Sequence, residues 1–206
     1  MQTLSQQIQQ AQTTLNKWER KPILQLPTAA VQETLTQCYM MLVAMDAKDC
    51  RNGIEADLAP IAYWLTTPQK QGIILQGNVG VGKTTLARAM FATMKFHGAP
   101  AVGCTAANLA SIYKDSEKEQ YWRLKNARRL FIDDLGAEYR SVKNYGEEFS
   151  PILDILTTYY KERKTLIITT NLTMANISNR YGERISDRLG ELCNYYELSN
   201  TQSFRK

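Results

Sequence analysis

The chain has 206 residues, of which 44% are hydrophobic and 22% charged. That is enough apolar mass for one sizeable core with a small appendage, and it excludes a mostly disordered chain. The longest apolar run, residues 38–45, falls far short of the roughly 18 to 20 residues that cross a bilayer, and the Gln-rich first 20 residues do not read as a signal peptide. A soluble cytoplasmic protein with no membrane partner is expected.

Cys38, Cys50, Cys104 and Cys193 lie far apart with no C-x-x-C pair, and His97 is the single histidine. Reduced, mostly buried thiols are expected, not a zinc cluster or a disulfide framework. Lys and Arg outnumber Asp and Glu by 25 to 20, a net charge of +5. That balance is compatible with a nucleic-acid partner and is also ordinary for a soluble domain.

Leu4, Ile8, Ala11, Leu15 and Trp18 alternate at spacings of four and three, an apolar stripe on a Gln-rich helix over residues 4–19 that Pro22 and Pro27 terminate. A second helix is predicted from Thr28 as N-cap to about Lys48, with its stripe at Val31, Leu35, Cys38, Leu42 and Met45. The two stripes pack on each other or on the adjoining domain, or they form a docking module for a partner protein. Residues 1–50 are set apart as an N-terminal helical, partner-binding region and residues 51–206 as the second unit. A short helix over residues 56–66 comes next, where Pro60 suits only the first turn or a kink.

From Gly72 the pattern changes. Short apolar runs at 73–75, 101–104, 130–132, 166–169 and 195–198 read as strands, and helices are predicted near 83–96, 106–125, 145–163 and 173–192. Apolar strands separated by helices describe a parallel sheet covered on both faces, an α/β fold.

Directly after the first strand stand Gly77, Asn78, Val79, Gly80, Val81, Gly82, Lys83 and Thr84, a complete G-x-x-x-x-G-K-T between strand and helix, followed by Thr85. The glycines let the backbone turn around an anion so that successive N–H groups and the helix N-terminus point at phosphates. Lys83 reaches the β- and γ-phosphates as a point charge, and the Thr84 hydroxyl is a ligand for Mg²⁺. All nine residues are assigned to ATP binding.

Such a site needs a carboxylate on a nearby strand, and Leu130, Phe131, Ile132, Asp133 and Asp134 end an apolar strand in two acids, a Walker B element. Asp133 is placed to orient Mg²⁺ through its water shell, and Asp134 to position and deprotonate the attacking water. Two acids at a strand end are otherwise often a helix cap. The next strand finishes at Asn171, an amide able to hold the lytic water if its strand and the Walker B strand flank the phosphate-loop strand, although Asn is also a common turn residue. Arg184 and Arg188 stand four residues apart on one face of a short helix. They either pair with Glu183, Asp187 or Glu191 on the surface, or reach the ATP site of a neighbouring subunit and neutralise transition-state charge.

The phrases GNVGVGKTTLARA, LFIDDLGAE, IITTNL and RYGERISDRL, in this order, resemble the AAA+ ATPases of the DnaC/IstB group, which are bacterial and phage helicase loaders and ATP-binding helpers of some transposases. The last phrase looks like the family's box VII, in which Arg188 matches the arginine finger and Arg184 a supporting arginine. Ser203, Phe204 and Arg205 resemble the aromatic–Arg ending of these loaders. The resemblance implies a three-layer P-loop NTPase fold with a five-stranded parallel sheet in the order 5-1-4-3-2. It also implies ATP and Mg²⁺ bound at subunit boundaries and oligomers on single-stranded DNA. Larger members carry an α-helical lid with a further arginine; the chain is expected to lack that domain and to hydrolyse ATP slowly as a monomer. Asp134 stands where many members carry the longer Glu, which points to a switch more than a motor.

For single-stranded DNA two stretches qualify. Residues 113–129 mix Tyr113, Tyr121 and Trp122 with Lys114, Lys118, Arg123, Lys125, Arg128 and Arg129, rings and cations suited to an unpaired strand or, alternatively, partly core rings on a solvated basic helix. The loop after the Walker B strand offers Tyr139, Arg140 and Lys143. Helicase loading, with residues 1–50 gripping a replicative helicase, is the leading reading. A transposition helper, a small-molecule kinase and a non-hydrolysing nucleotide scaffold are the alternatives.

Overall fold

The computed structural model describes residues 3, 5, 21–45, 54–114, 118–139, 142–144 and 147–199. The helix expected over 4–19, Cys50, Arg140 and residues 203–205 lie outside the described residues. The described elements are α1 (Thr28–Met45), α2 (Glu55–Thr66), β1 (Gly72–Gln76), α3 (Lys83–Phe96), β2 (Val102–Thr105), α4 (Ala106–Lys114), α5 (Glu119–Asn126), β3 (Arg129–Leu135), β4 (Val142–Asn144), β5 (Glu147–Phe149), α6 (Pro151–Glu162), β6 (Thr165–Thr170), α7 (Met174–Tyr181), α8 (Glu183–Leu192) and β7 (Cys193–Glu197).

Alternation along the strands sets the layers. On β1, Ile73 and Leu75 join one core while Ile74 joins the other; Phe131 and Ile167 face the first, and Leu130, Ile132, Leu166 and Ile168 the second. Side chains that alternate across a strand buried on both faces require helices above and below. Helices α1, α2 and α3 cover one face, and α4 to α8 the other. Five parallel strands run in the order β2-β3-β6-β1-β7, with the wholly buried β6 at the centre. Counting these five strands along the chain, this is the predicted 5-1-4-3-2. Where β1 meets β7, a Cβ on Gly72 would lie 2.4 Å from the Cys193 sulfur and 2.9 Å from the Leu166 carbonyl oxygen, so close strand approach requires glycine. Cys193 is buried and Cys38 and Cys104 half-buried, all three free, and burial pushes the Cys193 thiol up to about 12.

Helix α1 turns its apolar stripe inward. Val31, Leu35, Tyr39 and Val43 are buried in one cluster with Ile61 and Leu65 of α2 and Met90 and Met94 of α3, with Cys38 and Leu42 half-buried beside them. Thr28 does not cap the helix: its hydroxyl is 2.8 Å from that of Thr66, and the Pro27 carbonyl accepts the first helical N–H bonds, from Ala30 and Val31.

Two predicted helices are subdivided and a third is shortened. The 106–125 helix breaks before α5, where Lys118 has φ of 48°, a left-handed conformation that a right-handed helix cannot continue. The helix expected from residue 145 begins only at Pro151: the ring restricts Ser150 to extended backbone and fits the first helical position, leaving β4 and β5 to pair as an antiparallel hairpin. The 173–192 helix is interrupted at Gly182 (φ 89°) and becomes α7 and α8. The last strand starts at Cys193, two residues earlier than expected.

Because Leu35 is fully buried, Leu35→Ala is expected to lower stability by about 2–5 kcal/mol. Urea unfolding should show this as a shift of one cooperative transition, which marks α1 as part of the core and not an independently folding arm.

Candidate active site

The loop between β1 and α3 is built around close backbone approach. Gly80 and Gly82 take φ of 88° and 97°, left-handed values that glycine adopts without strain. A Cβ on Gly77 would stand 3.0 Å from the buried Val81 side chain. Helix α3 starts without a side-chain cap and with no acid in its first turn, so its leading N–H groups are directed at the loop, the arrangement that suits an anion. Lys83 is only 5% exposed, and its Nζ donates to the carbonyls of Gly77 and Asn78 at 2.7 Å and to Asn171 Oδ1 at 2.6 Å. Asn78 and Val79 are exposed, and Thr84 and Thr85 half-buried at the start of α3.

The acidic pair lies where the β3–β6 register shifts between Ile132 and Leu135. A bulge of this kind re-aims side chains. Asp133 Oδ1 accepts from Thr84 Oγ1 at 2.9 Å and from Thr169 Oγ1 at 2.6 Å, while the Asp134 N–H donates to the same Thr169 hydroxyl at 2.9 Å. Asp134 takes φ of 55° and its side chain is exposed. The two strands do not flank β1: β6 lies between β1 and β3. Gln76 is in register with Thr170, so Gly77 and Asn171 leave the sheet side by side. That adjacency brings the Asn171 amide to Lys83. Thr169, fully buried, is the contact that sequence reasoning missed; its signal was a hydroxyl in a strand otherwise rich in Leu and Ile.

One hydroxyl facing one carboxylate is a hard-oxygen donor set, which suits Mg²⁺, an ion that takes few protein ligands and completes its shell with phosphate and water. Among the described residues there is no cluster of three or more His, Cys, Asp or Glu that would hold a metal by itself. Thr84 and Asp133 therefore fit the ion assigned to them.

Arg184 and Arg188 lie on α8. Arg184 is exposed; Arg188 is half-buried, with its Nη1 3.4 Å from Thr157 Oγ1 and its guanidinium 5.2 Å from the centre of the Tyr160 ring, both on α6. Glu191 pairs with Arg163 at 2.7 Å, not with Arg188. Among the described residues, no phosphate-loop residue hydrogen-bonds or pairs with Arg188. Of the rings considered for DNA, Tyr121 is interior: it is 1% exposed and bonded to Asp154 at 2.5 Å, and burial is the first cause raising its hydroxyl pKa. Tyr113 stacks on Phe149 with centroids 4.5 Å apart. Lys125 is paired with the same Asp154 at 2.6 Å. Trp122 and Tyr139 remain exposed, at 50% and 82%.

Five parallel strands in this order, a lysine-bearing phosphate loop after the first and an acidic pair on the third define a P-loop NTPase fold of the AAA+ type. Residues 66–204 match the model of the nSTAND3 family, Novel STAND NTPase 3, and the chain belongs to that family. No curated protein matches the sequence. Among solved structures, the DnaC helicase loader is 23% identical with a TM-score of 0.58, over 69% of this chain and 88% of that one. A primosome component of Streptococcus pyogenes serotype M3 is 23% identical with a TM-score of 0.57, over 75% and 85%. AMPPCP-bound DnaA from Aquifex aeolicus is 20% identical with a TM-score of 0.55, over 71% of this chain and 47% of DnaA, about half its length. At these identities the likeness is one of fold, and it bears out the resemblance to the helicase-loader group at that level.

Thr169→Val leaves the Asp134 N–H without its acceptor and takes one donor from Asp133. A loss of about 1–3 kcal/mol is expected, measured by chemical denaturation.

Proposed function

We propose that the chain binds ATP with Mg²⁺, hydrolyses it slowly alone and faster when copies assemble, and loads a replicative helicase onto single-stranded DNA in the cytoplasm. One observation carries the enzymatic part: Lys83, Thr84, Asp133 and Asn171, from three elements, meet through hydrogen bonds of 2.6 to 2.9 Å. Nothing in the packing of a helix start requires a buried lysine there, whereas a triphosphate does.

In this reading the loop amides from Gly77 to Lys83 wrap the phosphates, Thr85 supports them from the first turn of α3, and the Lys83 ammonium exchanges backbone carbonyls for phosphate oxygens. Thr84 and Asp133 would hold Mg²⁺, which would supply neutralisation of phosphate charge. Asp134, exposed beside Asp133, takes a proton from the attacking water, and Asn171 orients that water. Arg188, with Arg184 beside it, serves the site of the adjacent copy, a contribution of about 10³- to 10⁵-fold in comparable sites.

The loading role draws on fold likeness to proteins described as a helicase loader and a primosome component. DNA binding draws on likeness to DnaA, which has been solved with AMPPCP and single-stranded DNA; here Trp122, Tyr139 and the cations around them are assigned to the strand. The helicase contact is assigned to residues 1–50, where Met40 and Met41 are exposed on α1 at 38% and 65%. Among the described residues no helix is long and apolar enough to cross a membrane.

Phosphate release from ATP without any acceptor should rise with protein concentration and with single-stranded DNA. Asp134→Asn should fall well below the wild type, and equal rates would favour a non-hydrolysing scaffold. Arg188→Ala should keep ATP binding and lose about 10³-fold of the assembly-stimulated rate; unchanged stimulated turnover removes Arg188 from the site. Gel filtration of the full chain with a replicative helicase and ATP should give one complex, and co-migration with a transposase instead would make it a transposition helper.

A further inference from the structure

Among the described residues outside the phosphate site, Glu138, four residues past Asp134, is a buried carboxylate with both oxygens hydrogen-bonded. It is 5% exposed. Its Oε2 accepts the Gly136 N–H at 2.9 Å, and its Oε1 accepts Nε and Nη2 of Arg180, each at 3.3 Å, and the Tyr181 hydroxyl. Arg180 Nη2 also donates to the Glu138 carbonyl. Burial, followed by the Glu138 contact, raises the Tyr181 hydroxyl above its ordinary range. A buried carboxylate demands such pairing, but nothing in packing alone requires an ion there, because α7 already has Ile177 in the core.

The two ends of this network are the informative feature. On one side, the Asp134 carbonyl accepts the Ala137 N–H at 3.0 Å, so the acidic residue and Glu138 share one tight turn. The turn is also pinned from β6: Thr170 Oγ1 donates to the Leu135 carbonyl at 2.7 Å, and a Cβ on Gly136 would come within 2.7 Å of Leu172. On the other side, Arg180 and Tyr181 end α7. The next residue is Gly182, whose φ of 89° and ψ of 154° start α8, the helix of Arg184 and Arg188. A Cβ on Gly182 would meet nothing within 4 Å, and its backbone ties the two helices: its N–H donates to the Ser178 carbonyl at 2.8 Å and its carbonyl accepts the N–H groups of Ile185 and Ser186 at 3.1 and 3.2 Å.

We infer that Glu138 is a positioning residue: through Arg180 and Tyr181 it ties the turn bearing Asp134 to the α7–α8 joint, so that occupancy of the phosphate loop is transmitted to the arginine helix. The inference rests on the proposed roles of Asp134 and α8, and it adds the physical link between them. A residue that only anchored its loop would stabilise the chain without relaying anything.

The decisive experiment is hydrogen exchange by mass spectrometry on the full chain, with and without AMPPCP and Mg²⁺, for the wild type, Glu138→Gln and Tyr181→Phe. Glutamine keeps the shape, but its NH₂ must face one of the donors that both carboxylate oxygens now accept. In the wild type, AMPPCP should slow exchange in residues 77–84 and in 183–192. In Glu138→Gln, protection of 77–84 should persist while the response of 183–192 falls at least fourfold. Tyr181→Phe, which removes one hydroxyl and cannot threaten folding through charge, should lose about half of that response. Turnover should divide in the same way, with kcat of Glu138→Gln at least tenfold lower and KM within threefold.

A full 183–192 response in both variants overturns the inference, as does a wild type protected at 77–84 and unresponsive at 183–192. Absence of protection at 77–84 in the wild type instead overturns the nucleotide reading itself, and the coupling with it.

Discussion

A buried ammonium is the constraint on which the site depends. Moving the Lys83 charge out of water is costly unless oxygen atoms surround it, and the chain meets that demand with two carbonyls from its own loop and the amide oxygen of Asn171. The third acceptor exists only because β6 is the direct neighbour of β1, with Gln76 opposite Thr170. Strand order is thus an electrostatic matter as well as a topological one: a different strand beside β1 would leave the lysine one acceptor short. The same adjacency places Thr169 where its hydroxyl reaches both Asp133 and the Asp134 backbone. Thr169 at the end of β6 thus holds the acidic pair, and Asn171 just past it contributes to holding the cation.

The parts of this arrangement that were legible in the sequence are those whose residue types have no cheaper explanation. Gly, Lys and Thr at fixed spacing after an apolar run mark the tight loop that buries Lys83, and two acids after Phe131 and Ile132 mark the strand end that meets Thr84. What stayed hidden depends on partners distant along the chain. Glu138 carries no sign of burial in the sequence, because its partners Arg180 and Tyr181 come from α7. Tyr121 and Trp122 are adjacent in a helix, and periodicity alone does not say which of two neighbouring rings is interior. The position of Asp154 decides it, and that residue comes from α6. The breaks at Lys118 and Gly182 were hidden for a related reason: helical periodicity runs through both, while the backbone conformation of single residues interrupts it.

Burial of the α1 stripe limits what the N-terminal part can offer a partner. Val31, Leu35, Tyr39 and Val43 are committed to α2 and α3, whereas Met40 and Met41 stand outside the core. A methionine pair is polarizable and adaptable, a surface that tolerates an irregular apolar partner. Binding there would act on a helix continuous with the core, and through α3 on the element whose first residue is Lys83. A load on α1 is therefore mechanically nearer the phosphate loop than it would be on a tethered arm.

Arg188 is held against α6 rather than against the phosphate loop. Its guanidinium sits over Tyr160, whose hydroxyl is held by Glu191, which in turn pairs with Arg163. A cation–π contact at such a half-exposed place contributes about 0.5–1 kcal/mol, small beside the roughly 4 to 7 kcal/mol that a 10³- to 10⁵-fold rate effect represents. The aromatic contact keeps the guanidinium over Tyr160 without holding it strongly. Under the proposed function, an arginine so placed would be retained in a lone copy and released at little cost when an adjacent copy presents a triphosphate. Under that proposal, slow hydrolysis alone and faster hydrolysis on assembly would follow from that difference in energy.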